Sequence, residues 1–127
     1  MKAPDTFAGR WVQRFGCAGR GLRYVLTHEP SGRVHIVALV TMVALGVWLG
    51  LTPLEWAVLA LAAASVIAAE ALNTAVERLA DRVSLEREES IRLVKDVAAG
   101  AVLAATIGAV AAGLAILGPK LWVVMFG

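Results

Sequence analysis

Two runs without a single charged side chain, Ile36 to Leu54 and Val97 to Gly118, limit this chain more than any other feature. Each is close to the roughly 20 apolar residues that cross a bilayer as a helix. A third uncharged run, Trp56 to Ala69, carries its apolar pattern on past Glu70 to Val76. Backbone polar groups in hydrocarbon must be satisfied within their own segment, so such runs become membrane helices. With 59% of its 127 residues hydrophobic and 17% charged, the chain reads as an all-α membrane protein. Three transmembrane helices are expected, at about 34–52, 54–81 and 95–118, within a single domain 1–127.

The first 33 residues hold Asp5, Arg10, Arg14, Arg20, Arg23, Glu29 and Arg33, which interrupt any signal-peptide core, so the first span should stay in the mature protein. The lone Cys17 has no partner for an internal disulfide, and no Cys/His spacing suggests a zinc site. The net charge of +2 comes from bases outside the spans, and so speaks of orientation rather than nucleic acid. The amino-terminal arginines, with Arg82, Arg87, Arg92 and Lys95, fall on the cytoplasmic side. Gly50 to Glu55 holds no base and reads as a tight external turn, flanked by Trp48 and Trp56 as an aromatic belt. The carboxyl terminus then lies outside, with Lys120, Trp122 and Phe126 near the interface, and Arg82 to Lys95 forms a cytoplasmic loop.

Ahead of the first span, Phe7, Trp11, Phe15, Ala18, Leu22 and Val25 recur every three or four residues, the pattern of an amphipathic helix lying on the membrane surface over about 5–28. In the third span Gly100, Ala104, Gly108 and Ala112, beside Ala101, Ala105, Ala109 and Gly113, form a ladder of small residues suited to close helix packing. Three helices are too few to wall a polar site off from lipid, so a homo-oligomer is expected.

The chemistry concentrates on the second span. Glu70, Asn73, Glu77 and Asp81 stand at i, i+3, i+7 and i+11, within about 80° of one helix face. Counted from Trp56 at about 1.5 Å per residue, Glu70 lies about 21 Å into a hydrocarbon core of about 30 Å, and Glu77 lies near its cytoplasmic edge. An ionisable group at that depth costs about 2.5 to 3.5 kcal/mol on insertion scales, so it marks a proton, ion or substrate path more often than packing. A general base and a proton carrier fit equally well.

The segment from Glu70 to Asp81, Glu-Ala-Leu-Asn-Thr-Ala-Val-Glu-Arg-Leu-Ala-Asp, closely resembles the signature of the prokaryotic diacylglycerol kinase family, including its undecaprenol kinase branch. Glu29 before the first span, and Lys95-Asp96 followed by Ala98-Ala99-Gly100 at the start of the third, extend the likeness over nearly the whole chain. The resemblance implies a homotrimeric kinase of a prokaryote's cytoplasmic (inner) membrane, using ATP and Mg2+ on a membrane lipid, without a soluble kinase fold. Glu70 is then the base for the lipid hydroxyl, with Asn73 positioning the reacting groups, and Glu29 and Glu77 are the magnesium ligands. Arg10, Glu29, Glu77, Glu86, Lys95 and Asp96 would contact the nucleotide, and Arg10, Glu70 and Ala99 the lipid.

The chain has no Gly-x-x-x-x-Gly-Lys-Ser/Thr loop and no Gly-x-Gly-x-x-Gly after a strand, so ATP is implied by the resemblance alone. Family members often carry Tyr and His where Arg87 and Glu88 stand, and an aromatic at Cys17. Arg33-Val34-His35 resembles the undecaprenol kinase branch. Two other readings compete with the kinase: a small proton-coupled transporter carrying its proton on Glu70, and a noncatalytic membrane adaptor assembled through the third span.

Overall fold

The structure, a computed structural model, describes residues 6–84, 86 and 88–127, and every regular element among them is an α-helix. α1 spans Phe7–His28, α2 Pro30–Leu49, α3 Pro53–Val83 and α4 Glu89–Phe126. Three of these, α2, α3 and α4, are long and apolar enough to cross a membrane. The chain divides into two compact units, one ending at Ile36 and one beginning at Val37.

In the amino-terminal unit, Thr6 caps α1 by accepting a hydrogen bond from the Gly9 N–H at 3.1 Å. The rings of Phe7, Trp11 and Phe15 follow one another along the helix with centroids 6.2 and 6.0 Å apart, and the Arg14 guanidinium lies 5.4 Å from the Trp11 ring centre. All three rings are exposed. At Glu29 the backbone becomes extended, and Pro30 opens α2, where its missing N–H is one that a first helical turn leaves unbonded anyway. This single-residue corner requires glycine at position 32. A Cβ there would collide with the Val25 carbonyl oxygen and lie 2.6 Å from that of Leu26.

In the second unit, α2 stops just before Gly50, whose φ of +66° lies in the left-handed region, and the Leu51 N–H reaches back to the Gly46 carbonyl at 3.2 Å. That is a Schellman stop, which glycine allows without steric cost. Thr52 then opens α3 through a capping box: its hydroxyl accepts from the Glu55 N–H at 3.3 Å, and its own N–H donates to Glu55 Oε2 at 2.8 Å. Trp56 is half-buried over Gly46, where a Cβ would come within 2.5 Å of the ring. Of the expected aromatic pair only Trp48, 63% exposed, stands clear of the protein.

α3 and α4 pack as an antiparallel hairpin closed by an ion pair near each end. Lys120 Nζ lies 3.3 Å from Glu55 Oε2, and Lys95 Nζ lies 2.5 Å from Asp81 Oδ1. Glu55 and Asp81 stand about 39 Å apart along α3 at the helical rise, close to the roughly 40 to 45 Å of a bilayer with its headgroup layers. Between the clamps, Leu59, Val66, Thr74 and Ala80 are buried on α3. On α4 the less exposed positions include Ile91, Lys95, Ala98, Val102, Ala105, Ala109, Ala112 and Ile116, alternating steps of four and three in the manner of a coiled-coil seam.

Several boundaries differ from the sequence expectation. The polar stretch Arg82 to Lys95 is not a loop: α3 runs to Val83 and α4 begins at Glu89, leaving 84–88 as the link. Glu, Arg, Leu and Lys are good helix formers, so the helices outlast the lipid-soluble part of the sequence. Within the link, Ser84 Oγ donates to Glu88 Oε1 at 3.2 Å and accepts from the Glu86 N–H at 3.1 Å. Arg87, counted among its bases, and Asp5, the expected start of α1, lie outside the described residues. α2 begins at Pro30 and stops at Leu49, and α4 passes through Pro119 to Phe126. The small residues divide between two faces of α4. Ala105, Ala109 and Ala112 are on the seam with α3, whereas Gly100, Ala104 and Gly108 are exposed, and a Cβ on either glycine would meet nothing within 4 Å.

Candidate active site

The polar line of α3 coincides with its buried face. At 100° per residue, Glu70, Asn73, Glu77 and Asp81 fall in the same sector as Leu59, Val66, Thr74 and Ala80, so the line runs along the seam with α4. Glu70 and Asn73 are half-buried, whereas Glu77 and Asp81 are exposed towards the link. The small α4 residues Ala98 and Ala105 belong to the same seam and leave room beside these longer side chains.

Asn73 is the unusual member. Its Nδ2 donates to Glu77 Oε1 at 3.4 Å, while its Oδ1 is buried with no hydrogen-bond partner. Exchanging the two amide atoms would aim the amide oxygen at the Glu77 carboxylate, two acceptors facing each other, so the orientation shown is favoured while Glu77 is ionised. Two other polar side chains in the spans are satisfied by their own helices. Thr41 Oγ1 donates to the Val37 carbonyl at 2.8 Å and Ser65 Oγ to that of Leu61 at 2.7 Å. Asn73 keeps a buried acceptor, which favours any donor that reaches the seam.

At the link the seam opens into a cavity of about 770 Å³ lined by Asp81, Glu86, Glu88, Glu89, Arg92 and Lys95 among others. Lys95 projects from the first turns of α4 and bonds Asp81 across the hairpin. Asp96, the next residue, is turned about 100° round the helix, is exposed and does not line the cavity. Ala99, one turn beyond Lys95, is exposed.

The hairpin thus gathers Glu70, Asn73, Glu77, Lys95 and Glu86 with Asp81, a member of the sequence stripe to which no role is given, and adds Glu88, Glu89 and Arg92, which the sequence does not single out. Their signal was weak: opposite charges on the two sides of a short link between spans. Arg10, exposed on α1, and Glu29, half-buried at the α1–α2 corner, belong to the amino-terminal unit. Among the described residues no three His, Cys, Asp or Glu side chains group as metal ligands.

Membrane-length helices and a carboxylate line that leads from the hydrocarbon level to a polar cavity define a class: an integral membrane protein with an acidic site on one span. The comparisons narrow the class. The family model of prokaryotic diacylglycerol kinase matches residues 16–117. The undecaprenol kinase of Bacillus subtilis (strain 168) is 30% identical over 112 residues, covering 88% of this chain and 91% of that one. The diacylglycerol kinase of Escherichia coli (strain K12) is 32% identical over 101 residues, 80% of this chain and 83% of that one. That of Synechocystis sp. is 37% identical over 108 residues, 84% of this chain and 62% of its own longer sequence. The chain belongs to the prokaryotic diacylglycerol kinase family and is a lipid kinase.

Proposed function

We infer that this kinase transfers the γ-phosphoryl group of ATP, with magnesium, to the hydroxyl of undecaprenol or diacylglycerol, giving undecaprenyl phosphate or phosphatidic acid. The observation that carries this reading is the line Glu70–Asn73–Glu77 on the α3 seam, which joins the depth of a lipid hydroxyl to the cavity holding Lys95. Glu70 stands about 16 Å above Asp81 along the helix, inside the hydrocarbon, where a lipid alcohol arrives and bulk water does not. Its carboxylate takes the hydroxyl proton as the oxygen attacks the γ-phosphorus and the bond to the departing ADP breaks, and the buried Asn73 Oδ1 orients the groups that meet there.

Phosphoryl transfer asks the protein for in-line positioning and charge neutralisation rather than covalent chemistry. Lys95 supplies a positive charge at the phosphates, and Glu86 lies in the cavity with the nucleotide. Glu77 and Glu29 would hold the magnesium ion, which neutralises phosphate charge. Hard carboxylate oxygens suit that ion, and it commonly takes one or two carboxylates together with phosphate oxygens. The donor set therefore fits without a cluster of three acids. Arg10 and Asp96 complete the nucleotide contacts in this reading, and Arg10 and Ala99 those to the lipid.

The basic residues on either side of the link, Arg82, Arg92 and Lys95, support a cavity and an amino terminus in the cytoplasm of a prokaryotic cell and a carboxyl terminus outside. α1 lies on the membrane with Phe7, Trp11 and Phe15 in the headgroup boundary. The open face of Gly100, Ala104 and Gly108 receives a neighbouring copy in a homotrimer. Purified protein assayed with ATP, magnesium and each lipid side by side tests the reading. Lipid phosphorylation is expected, with undecaprenol slightly favoured by the resemblance at His35. Substrate uptake into sealed vesicles with no ATP consumed would instead support a transporter.

A further inference from the structure

We propose that Asp81 is a positioning residue of the kinase: it aims the Lys95 ammonium at the nucleotide phosphates, beside the end of the Glu77 line. The inference rests on the lipid-kinase reading above, and the residue itself touches neither nucleotide nor lipid.

Three observations carry it. Asp81 Oδ1 and Lys95 Nζ are 2.5 Å apart, a charge-assisted hydrogen bond spanning the two helices that form the seam. The two side chains remain 52% and 38% exposed, and ion pairs so open to water add little stability, so holding the hairpin together is a poor account of the contact. Finally, both residues line the cavity that also holds Glu86, Glu88 and Glu89. Lysine is a compact charge on a flexible stem, and in such a cavity several carboxylates compete for it. Bonded to Asp81, it is held on the α3 side, about one helical turn from Glu77.

The chemistry is compatible with turnover. An ammonium has three N–H donors, and the Asp81 bond occupies one of them. Two remain for phosphate oxygens, so Lys95 need not leave Asp81 to reach the nucleotide. Asp81 also continues the stripe of Glu70 and Glu77, which fixes the direction of Lys95 relative to the phosphoryl path by one helix face.

A double-mutant cycle tests the assignment on the purified full-length protein with MgATP as the varied substrate. Asp81→Asn should lower kcat/KM for MgATP about tenfold, leave KM for the lipid and the thermal melting temperature unchanged, and be largely rescued by Asp81→Glu. Asp81→Asn combined with Lys95→Met should be no worse than Lys95→Met alone, to within about twofold. Losses that multiply in the double variant, an unchanged kcat/KM in Asp81→Asn, or a loss explained by a lower melting temperature would overturn the positioning role while leaving the kinase intact. A wild-type chain that phosphorylates neither lipid would overturn the kinase reading, and this inference with it.

Discussion

Asn73 donates to Glu77 one helical turn further on, at 3.4 Å, and keeps its amide oxygen buried and unbonded in the α3–α4 seam. A buried acceptor without a partner costs on the order of 1 to 3 kcal/mol. With the span hydroxyls of Thr41 and Ser65 each bonded back to a carbonyl of its own helix, that cost points to a site kept for a substrate. Asn73→Leu, close in volume, should therefore raise thermal stability by about 1 kcal/mol while lowering kcat at least about 100-fold. Thermal unfolding in detergent and initial rates on the same preparation check both; a variant that is less stable and still active would contradict the assignment.

The corner at Glu29 gives a second expectation. Because a Cβ at position 32 would strike the Val25 carbonyl, Gly32→Ala must displace the last turn of α1 or the first of α2. Overpacking of this kind costs about 1 to 3 kcal/mol. The melting temperature should fall, and the magnesium concentration for half-maximal activity should rise, since Glu29 sits at the corner. Titration of activity with magnesium separates this from a loss of folded protein, which lowers the plateau alone.

The open ladder of α4 predicts an oligomer defect. Gly108→Leu places a bulky side chain where a neighbouring copy would approach, without touching α3. Crosslinking and size-exclusion chromatography in mild detergent should show loss of the trimer with helix content preserved. A trimer that survives Gly108→Leu would move the subunit interface elsewhere.

The far clamp provides the contrast. Lys120 and Glu55 close the end of the hairpin opposite the cavity, about 39 Å from Asp81 along α3. Lys120→Met should leave kcat/KM for MgATP within about twofold of wild type, because partly exposed ion pairs carry little energy and this one lies far from the site. A tenfold loss would show that the two ends of the hairpin are coupled.

How much of this was legible in the sequence depends on the range of the interaction. The three spans follow from uncharged length, and the Glu70–Asp81 stripe follows from helical period, since both are local. The ends of the helices were read short around the link because hydropathy marks where lipid ends, not where a helix ends. Glu89 to Lys95 is polar yet helical, and its Ile91 and Lys95 begin the α4 seam. The uncharged run stops at Gly118, but helices in membranes tolerate proline, and α4 continues through Pro119 to Phe126. The Gly100 ladder was legible as a packing surface, though not which partner it leaves uncovered. Asp81 and Lys95 are each legible, one as the end of the stripe and the other through the resemblance, but their pairing is not, because it depends on how the hairpin brings two helices together.

The most direct test of the central claim is transfer of labelled phosphate from the γ position of ATP to undecaprenol and to diacylglycerol by wild-type protein and by Glu70→Gln. Wild-type protein should label at least one of the lipids, and the variant, with its oligomer intact, should be slower by about 100- to 10,000-fold, the range set by loss of a general base. Labelling by Glu70→Gln at the wild-type rate would remove Glu70 from the base role. No labelling of either lipid by the wild-type chain would contradict the proposed reaction itself.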